Sequence, residues 1–98
     1  MLIVAGNLRT APENRDRVVE IAATVMNATR EEDGCYEYVF TADSQEPDLI
    51  RLYELWESGE HLSAHLKTSH LAEWRQAAGD LIVESEIKIF TISETRDL

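Results

Sequence analysis

The spacing of hydrophobic positions alternates along the chain between patterns typical of strands and patterns typical of helices, and each change of pattern marks a new predicted element. Residues 2–9 are largely apolar and predict a first strand. A helical repeat follows, with one apolar face formed by Val18, Ile21, Ala22, Val25 and Met26. Residues 35–41 and 49–56, rich in aromatic and β-branched side chains, predict a second and a third strand joined by a polar loop.

The second half of the chain repeats this order of helix and strand. Ser58 is suited to cap a helix that carries Leu62 and Leu66, and the polar residues 67–69 predict a break before a short helix ending near Gly79. Residues 84–93 predict the last strand. Two strand–helix–strand halves predict an α+β fold of the ferredoxin-like, split β-α-β type. It has a four-stranded antiparallel sheet with helices on one face, in a single domain spanning residues 1–98.

The predicted strands are apolar on both of their faces, which predicts how the domain associates. In residues 49–56, for example, Ile50 and Leu52 point one way and Tyr53 and Leu55 the other. The helices can cover only one face, and an exposed apolar sheet needs a second layer. We therefore expect a homodimer in which two copies of the sheet face each other.

Composition and charge exclude several classes of partner and site. The formal net charge of −10 argues against nucleic acid and against a membrane surface as partners, because both require basic protein surface. The N-terminus lacks the basic start of a secretory signal, so we predict a cytoplasmic protein. A single cysteine, Cys35, excludes an intramolecular disulfide and a multi-cysteine metal site, and a buried, inert thiol is expected.

The candidate chemistry is concentrated in residues 56–74, which contain all three histidines and both tryptophans. His61 and His65 are four residues apart and could share a metal ion, but a surface position for His61 explains the spacing as well, and we predict no metal site. His65 lies between Leu62 and Leu66, where it is either a hydrogen-bonded histidine at the core edge or a general base. For His70, at a helix start, a structural role is favoured.

Three further residues could complete a pocket, each with a plain structural alternative. Trp56 ends a strand and is either core or pocket wall, with an indole N–H that needs a partner if buried. Asn7 lies on the same strand face as Ile3 and Ala5, where it either bonds a loop or contacts a ligand. Arg75 is either a surface charge or a cationic wall.

These residues and the doubled layout resemble the antibiotic biosynthesis monooxygenase family. The resemblance rests on the run Tyr53-Glu54-Leu55-Trp56-Glu57-Ser58, then His61-Leu62, Ala64-His65-Leu66 and Thr68-Ser69-His70, supported by Pro12 and Glu32-Asp33-Gly34-Cys35. It covers essentially the whole chain and is strongest with bacterial quinol monooxygenases. It implies a dimeric α+β barrel, but the family also includes haem-degrading enzymes, isomerases and proteins without an assigned role.

In the oxygenase branch, the resemblance implies oxidation of a small aromatic or quinol-like substrate by O2 without a cofactor. His65 would be the base, and Asn7, Trp56 or Arg75 would stabilise developing negative charge. Leu52, Leu62 and His70 would line the cleft together with Arg75. An asparagine and a tyrosine expected in polyketide oxygenases fall at Leu52 and Leu62, which argues against an anthrone substrate.

Other branches of the resemblance remain open as alternatives. Haem degradation is disfavoured, because His65 and Arg75 occupy the positions where the helix tryptophan and the axial histidine of that branch are expected. The two remaining hypotheses are an isomerase of a small carbonyl compound and a non-catalytic binder of an apolar metabolite.

Overall fold

The computed structural model describes all of residues 1–98. The strands and helices follow the order β1 (Leu2–Thr10), α1 (Arg15–Thr29), β2 (Cys35–Ala42), β3 (Leu49–Trp56), α2 (Gly59–His65), α3 (Ser69–Ala78) and β4 (Ile82–Thr91). Short 3-10 turns occupy Pro12–Asn14 before α1 and Gly79–Leu81 before β4. The element order predicted from the pattern is therefore confirmed, with β4 beginning two residues earlier than expected.

The four strands form one antiparallel sheet in the order β2-β3-β1-β4. β1 lies in the centre, with Leu2 opposite Trp56 of β3 and opposite Thr91 of β4. This order confirms the ferredoxin-like split β-α-β arrangement, because each helix crosses between two strands that are not neighbours in the sheet.

Polar side chains at the predicted positions begin the two short helices. The Ser58 hydroxyl accepts the His61 backbone N–H at 3.3 Å at the start of α2. The Thr68 hydroxyl accepts the Leu71 N–H at 3.4 Å at the start of α3, and it donates to the His65 carbonyl at 2.8 Å. Thr68 therefore fixes α3 against the end of α2.

Gly34 allows the loop after α1 to turn tightly against α2. Its φ is +78°, in the left-handed region that glycine adopts at little cost. A Cβ at this position would also collide with the ring of His61. The turn carries Glu32 and so determines where that carboxylate meets the helices.

The two faces of the sheet differ in what covers them. On one face, side chains of β1, β2 and β3 pack with α1, α2 and α3 in a core that includes Val4, Leu8, Val25, Phe40, Ile50, Leu52 and Trp74. No helix covers the opposite face, which we call the open face and which carries Ile3, Val39, Tyr53, Leu55 and Phe90. Phe90 is 51% exposed there.

None of the helices combines the length and the apolar character needed to cross a lipid bilayer.

Candidate active site

A cavity of about 270 Å³ lies between the helix-covered face of the sheet, α2, α3 and the edge strand β4. Its lining is mostly apolar and includes Val4, Leu8, Phe40, Leu71, Ile87 and Ile89. The ionisable groups of the wall are Glu54, His65, Arg75 and the phenol of Tyr38. An apolar space with a few converging polar groups is the usual form of a small-molecule site.

His65 is the last residue of α2 and is only 2% exposed. Its ring packs against Trp56, with centroids 4.9 Å apart, and meets the edge of Tyr38 at 5.2 Å. Nδ1 lies 2.7 Å from Glu32 Oε2, and since an ionised carboxylate can only accept, Nδ1 carries the proton. Nε2 has no hydrogen-bond partner in the protein and is not sealed from solvent, and His65 lines the cavity, so this nitrogen is the candidate proton acceptor of the site.

The protonation of His65 follows from its surroundings. Burial lowers the pKa of the imidazole, because a charged ring loses its hydration there, while the Glu32 carboxylate opposes that shift. The neutral ring therefore predominates at neutral pH. A neutral imidazole held by a carboxylate at Nδ1 is the arrangement of a general base.

Glu32 holds a second histidine in addition to His65. The same oxygen, Oε2, lies 2.7 Å from Nε2 of His70 in the first turn of α3. His70 lines a separate, smaller cavity between α1 and α3, so the expectation that it forms a wall of the substrate cleft is wrong. Its ring is turned toward Glu32, which agrees with the structural role favoured above.

Glu54 is a buried acid in the cavity wall for which no cationic partner is present. Burial raises the pKa of its carboxyl to about 7, the negative charge of Glu32 acts in the same direction, and the hydrogen bond from Trp56 opposes the rise. A carboxyl with this pKa can both donate and accept a proton near neutral pH. The sequence analysis missed it, although an acid at an inward position between Leu52 and Trp56 was a visible signal.

Trp56 lies in the core next to the cavity wall and contacts Glu54 and His65. Its side chain is fully buried and does not line the cavity, and its indole Nε1 donates to Glu54 Oε1 at 2.7 Å. The structure therefore places this candidate in the core, where its N–H fixes the Glu54 carboxyl instead of meeting a substrate.

Asn7 does not reach the cavity, and the expectation that it completes the pocket with His65 is wrong. Side chains alternate along β1, and Val4 and Leu8 take the helix-covered side. Asn7 thus lies on the open face, where its Oδ1 accepts from Arg51 Nη1 at 3.0 Å. It belongs to a different, shallow pocket with Arg51, Glu86 and Lys88.

The remaining predicted residues divide between the cavity and the surface. Leu52, Leu62 and Arg75 all line the cavity, and their contact with a substrate stays a prediction. His61 does not line the cavity, because its Nδ1 lies 2.7 Å from the Ser58 hydroxyl and its Nε2 lies 3.4 Å from Asp33. The fold therefore brings His65 close to Glu32 and His70. It does not bring His61 and His65 together as a pair of ligands.

Comparison with known proteins identifies relatives over most of the chain. Residues 1–77 match the model of the family described as antibiotic biosynthesis monooxygenase. The chain is 33% identical to the probable quinol monooxygenase YgiN of Escherichia coli strain K12, over 91% of this chain and 95% of that protein. It is 31% identical to the uncharacterized protein sll1783 of Synechocystis, over 99% of this chain and 67% of that protein.

The fold is also found among solved structures. The structure of Rv0793 from Mycobacterium tuberculosis superimposes with a TM-score of 0.86 at 21% identity and covers 98% of both chains. At this identity the likeness concerns the fold, which is the same α+β arrangement. The match over residues 1–77 and the 33% identity to the E. coli protein show that the chain belongs to the antibiotic biosynthesis monooxygenase family.

Proposed function

We propose that this protein is a cofactor-independent monooxygenase that inserts one oxygen atom of O2 into a quinol or a similar hydroxylated aromatic compound. The observation that carries the proposal is the buried Glu32–His65 pair, which leaves Nε2 of His65, a residue of the apolar cavity wall, without a hydrogen-bond partner. The similarity to the probable quinol monooxygenase of E. coli supports the substrate class.

The overall reaction needs no reductant besides the substrate. A quinol with a free ring position and one O2 give a hydroxyquinone and one water. Of the four electrons that reduce O2, two come from oxidation of the quinol to the quinone. The other two come from conversion of a ring C–H to C–O. Cofactor-free oxygenation is therefore possible only for electron-rich substrates that ionise readily.

The first step in this scheme is proton transfer to His65. Nε2 accepts the proton of a substrate hydroxyl while Glu32 stabilises the imidazolium through Nδ1. The resulting phenolate gives one electron to O2, and the superoxide and the phenoxyl radical combine at the adjacent ring carbon. The apolar walls favour this step, because they hold a flat ring and O2 together and exclude water.

The second step breaks the O–O bond. The carbon-bound peroxide takes a proton, and its O–O bond then breaks as the C–H bond of the same carbon gives up its proton. The hydroxide that leaves combines with this proton to form water, and the new carbonyl compound tautomerises to the hydroxyquinone. Glu54 is suited to supply the proton, since its pKa of about 7 keeps much of it protonated at neutral pH. Arg75, the cation of the wall, is suited to stabilise the phenolate and the peroxide anion.

Oxygen uptake with chemically reduced quinones, on metal-free protein under 18O2, tests the proposal. We expect one O2 consumed per quinol, one 18O atom in the quinone product and no hydrogen peroxide. Stoichiometric peroxide with unlabelled quinone would identify a simple oxidase instead. If no quinol in the panel gives O2 uptake above the uncatalysed rate, the proposal is contradicted. The isomerase and the non-catalytic binder would then be the favoured hypotheses.

The proposal includes a homodimer formed through the open face. The support is the apolar side chains of the open face, where Phe90 is exposed and Ile3, Tyr53 and Leu55 are partly exposed, on a strand layer that no helix covers. Burying such a surface against a second copy removes apolar area from water at about 25 cal/mol per Å². The cavity lies on the other side of the sheet, so each subunit would keep its own site.

A further inference from the structure

The Nδ1 side of His65 belongs to a second cluster of groups beyond the cavity. Glu32 comes from the loop after α1, His65 from the end of α2 and His70 from the start of α3. One donor atom from each lies within 4.8 Å of the others. Both histidine nitrogens approach the same carboxylate oxygen, Oε2, at 2.7 Å.

The donor set is one that divalent transition metals accept. Two imidazole nitrogens and one carboxylate oxygen are the protein ligands of many zinc sites that keep a fourth position open. In tetrahedral zinc the donor atoms are about 3.3 Å apart, given metal–ligand distances of about 2.0–2.2 Å. The two 2.7 Å hydrogen-bond distances need to widen by about 0.6 Å, a movement that the Glu32 side chain can supply from its loop. The two histidine nitrogens, which lie within 4.8 Å of each other, need to reach the same spacing.

Burial and charge also favour a cation in this cluster. The side chains of Glu32 and His70 are 15% and 20% exposed, and that of His65 is 2% exposed. The ligands are therefore largely ordered before binding, which reduces the entropy lost on coordination. With neutral imidazoles the cluster carries one negative charge, in a chain of formal net charge −10.

We propose that Glu32 Oε2, His65 Nδ1 and His70 Nε2 form a binding site for a divalent transition-metal ion of the zinc type. The site is distinct from the substrate cavity, because the metal would use the nitrogen of His65 that now donates to Glu32 and not the one at the cavity.

Metal at this site changes what His65 offers to the cavity, a consequence that rests on the proposed function. A neutral imidazole carries one proton, and a metal on Nδ1 requires that proton to be on Nε2. The cavity-facing nitrogen then becomes a donor and can no longer accept the substrate proton. A bound ion is thus an inhibitor of the base, and its removal restores activity.

Binding is tested first, without any assay of activity. EDTA-treated protein is titrated with Co²⁺, whose visible absorption reports tetrahedral coordination by nitrogen and oxygen, and Zn²⁺ is then added in competition. We expect one equivalent of Co²⁺ to be bound and then displaced by Zn²⁺. Glu32→Gln and His70→Ala should each weaken binding by more than about 10-fold, because they remove ligands themselves and not only their supporting groups.

His61→Ala is the matched control, since His61 lies close to Asp33 and Glu57 and could bind metal at the surface. This variant should bind Co²⁺ as the wild type does. Absence of a tetrahedral spectrum, or loss of binding in His61→Ala with retention in His70→Ala, would overturn the proposal. Circular dichroism of each variant confirms that a loss does not reflect unfolding.

The inhibitory consequence is tested separately on protein that binds metal. One equivalent of Zn²⁺ should abolish quinol-dependent O2 uptake in the wild type, and EDTA should restore it. Uptake that is unchanged by stoichiometric zinc would overturn the inhibitory role while the binding result stands. A protein that binds zinc but shows no uptake in either form would contradict the proposed function alone.

Discussion

The indole N–H of Trp56 donates to the carboxyl of Glu54 at 2.7 Å, two residues back on the same strand. Both side chains lie on the helix-covered face, and the tryptophan is fully buried while the acid reaches the cavity. In the proposed mechanism, Trp56 therefore positions the acid and does not contact the substrate. This relationship connects the strand-to-helix junction with the chemistry of the cavity.

The burial of Glu54 predicts how stability depends on pH. Its folded pKa of about 7 lies above the ordinary value of 4.5, so the native state holds a proton that the unfolded chain releases. This contribution is fully present below about pH 4.5 and is lost as pH rises through about 7. Glu54→Gln mimics the protonated acid and should be more stable than wild type at pH 8, by at most about 3 kcal/mol.

Urea unfolding of both proteins at pH 5 and pH 8 measures this difference. His65 and Glu32 are retained in both, so their own titration cancels in the comparison. The gap between variant and wild type should widen with pH. An equal gap at the two pH values would show that Glu54 does not ionise in this range.

Replacement of His65 tests its role as the base. His65→Gln should lower kcat by about 100-fold or more, because proton abstraction in the transition state is lost, while KM changes little. The matched control is His61→Gln, four residues earlier on α2 and outside the cavity, which should behave as the wild type. Similar losses in both variants would point to a general effect on α2 and not to a base.

The fold could be predicted because its determinants are local. Ser58 caps α2 as its position indicated, and Thr68, which caps α3, is one of the polar residues 67–69 at which a break was predicted. Runs of β-branched and aromatic residues indicated the strands. One local irregularity was not visible in the pattern. The pairing of β2 with β3 shifts between Cys35 and Glu37, which leaves the Tyr36 hydroxyl to donate to Glu57 at 2.9 Å.

The site was predicted less completely because it depends on long-range contacts. Glu32 meets His65 across 33 positions of sequence, and no local pattern connects them. Asn7 was placed on the correct strand face with Ile3 and Ala5, but Val4 and Leu8 on the other face are equally apolar. The sequence of β1 therefore does not tell which face the helices cover. In the structure they cover the face with Val4 and Leu8, so Asn7 lies outside the pocket.

The position of Asn7 predicts that its side chain takes no part in the reaction. Asn7→Ala should retain the wild-type kcat and KM, because the side chain lies on the open face with Arg51. Arg75→Gln, in the cavity wall, should lower kcat in the same oxygen-uptake assay. A large fall in kcat for folded Asn7→Ala would mean that substrate reaches the open face.

Assembly through the open face is tested by introducing a charge there. Phe90→Glu places a carboxylate on the β4 side of the apolar surface, opposite Ile3 of β1, where burial against a second copy would leave it without a partner at a cost of several kcal/mol. Sedimentation at micromolar concentration should give a dimer mass for wild type and a monomer mass for this variant. Leu66→Glu is the control, because Leu66 is an exposed leucine after α2 in the helical layer, and it should remain dimeric. A monomeric wild type would refute the proposed dimer, and a dimeric Phe90→Glu with a monomeric Leu66→Glu would place the contact on the helical layer instead.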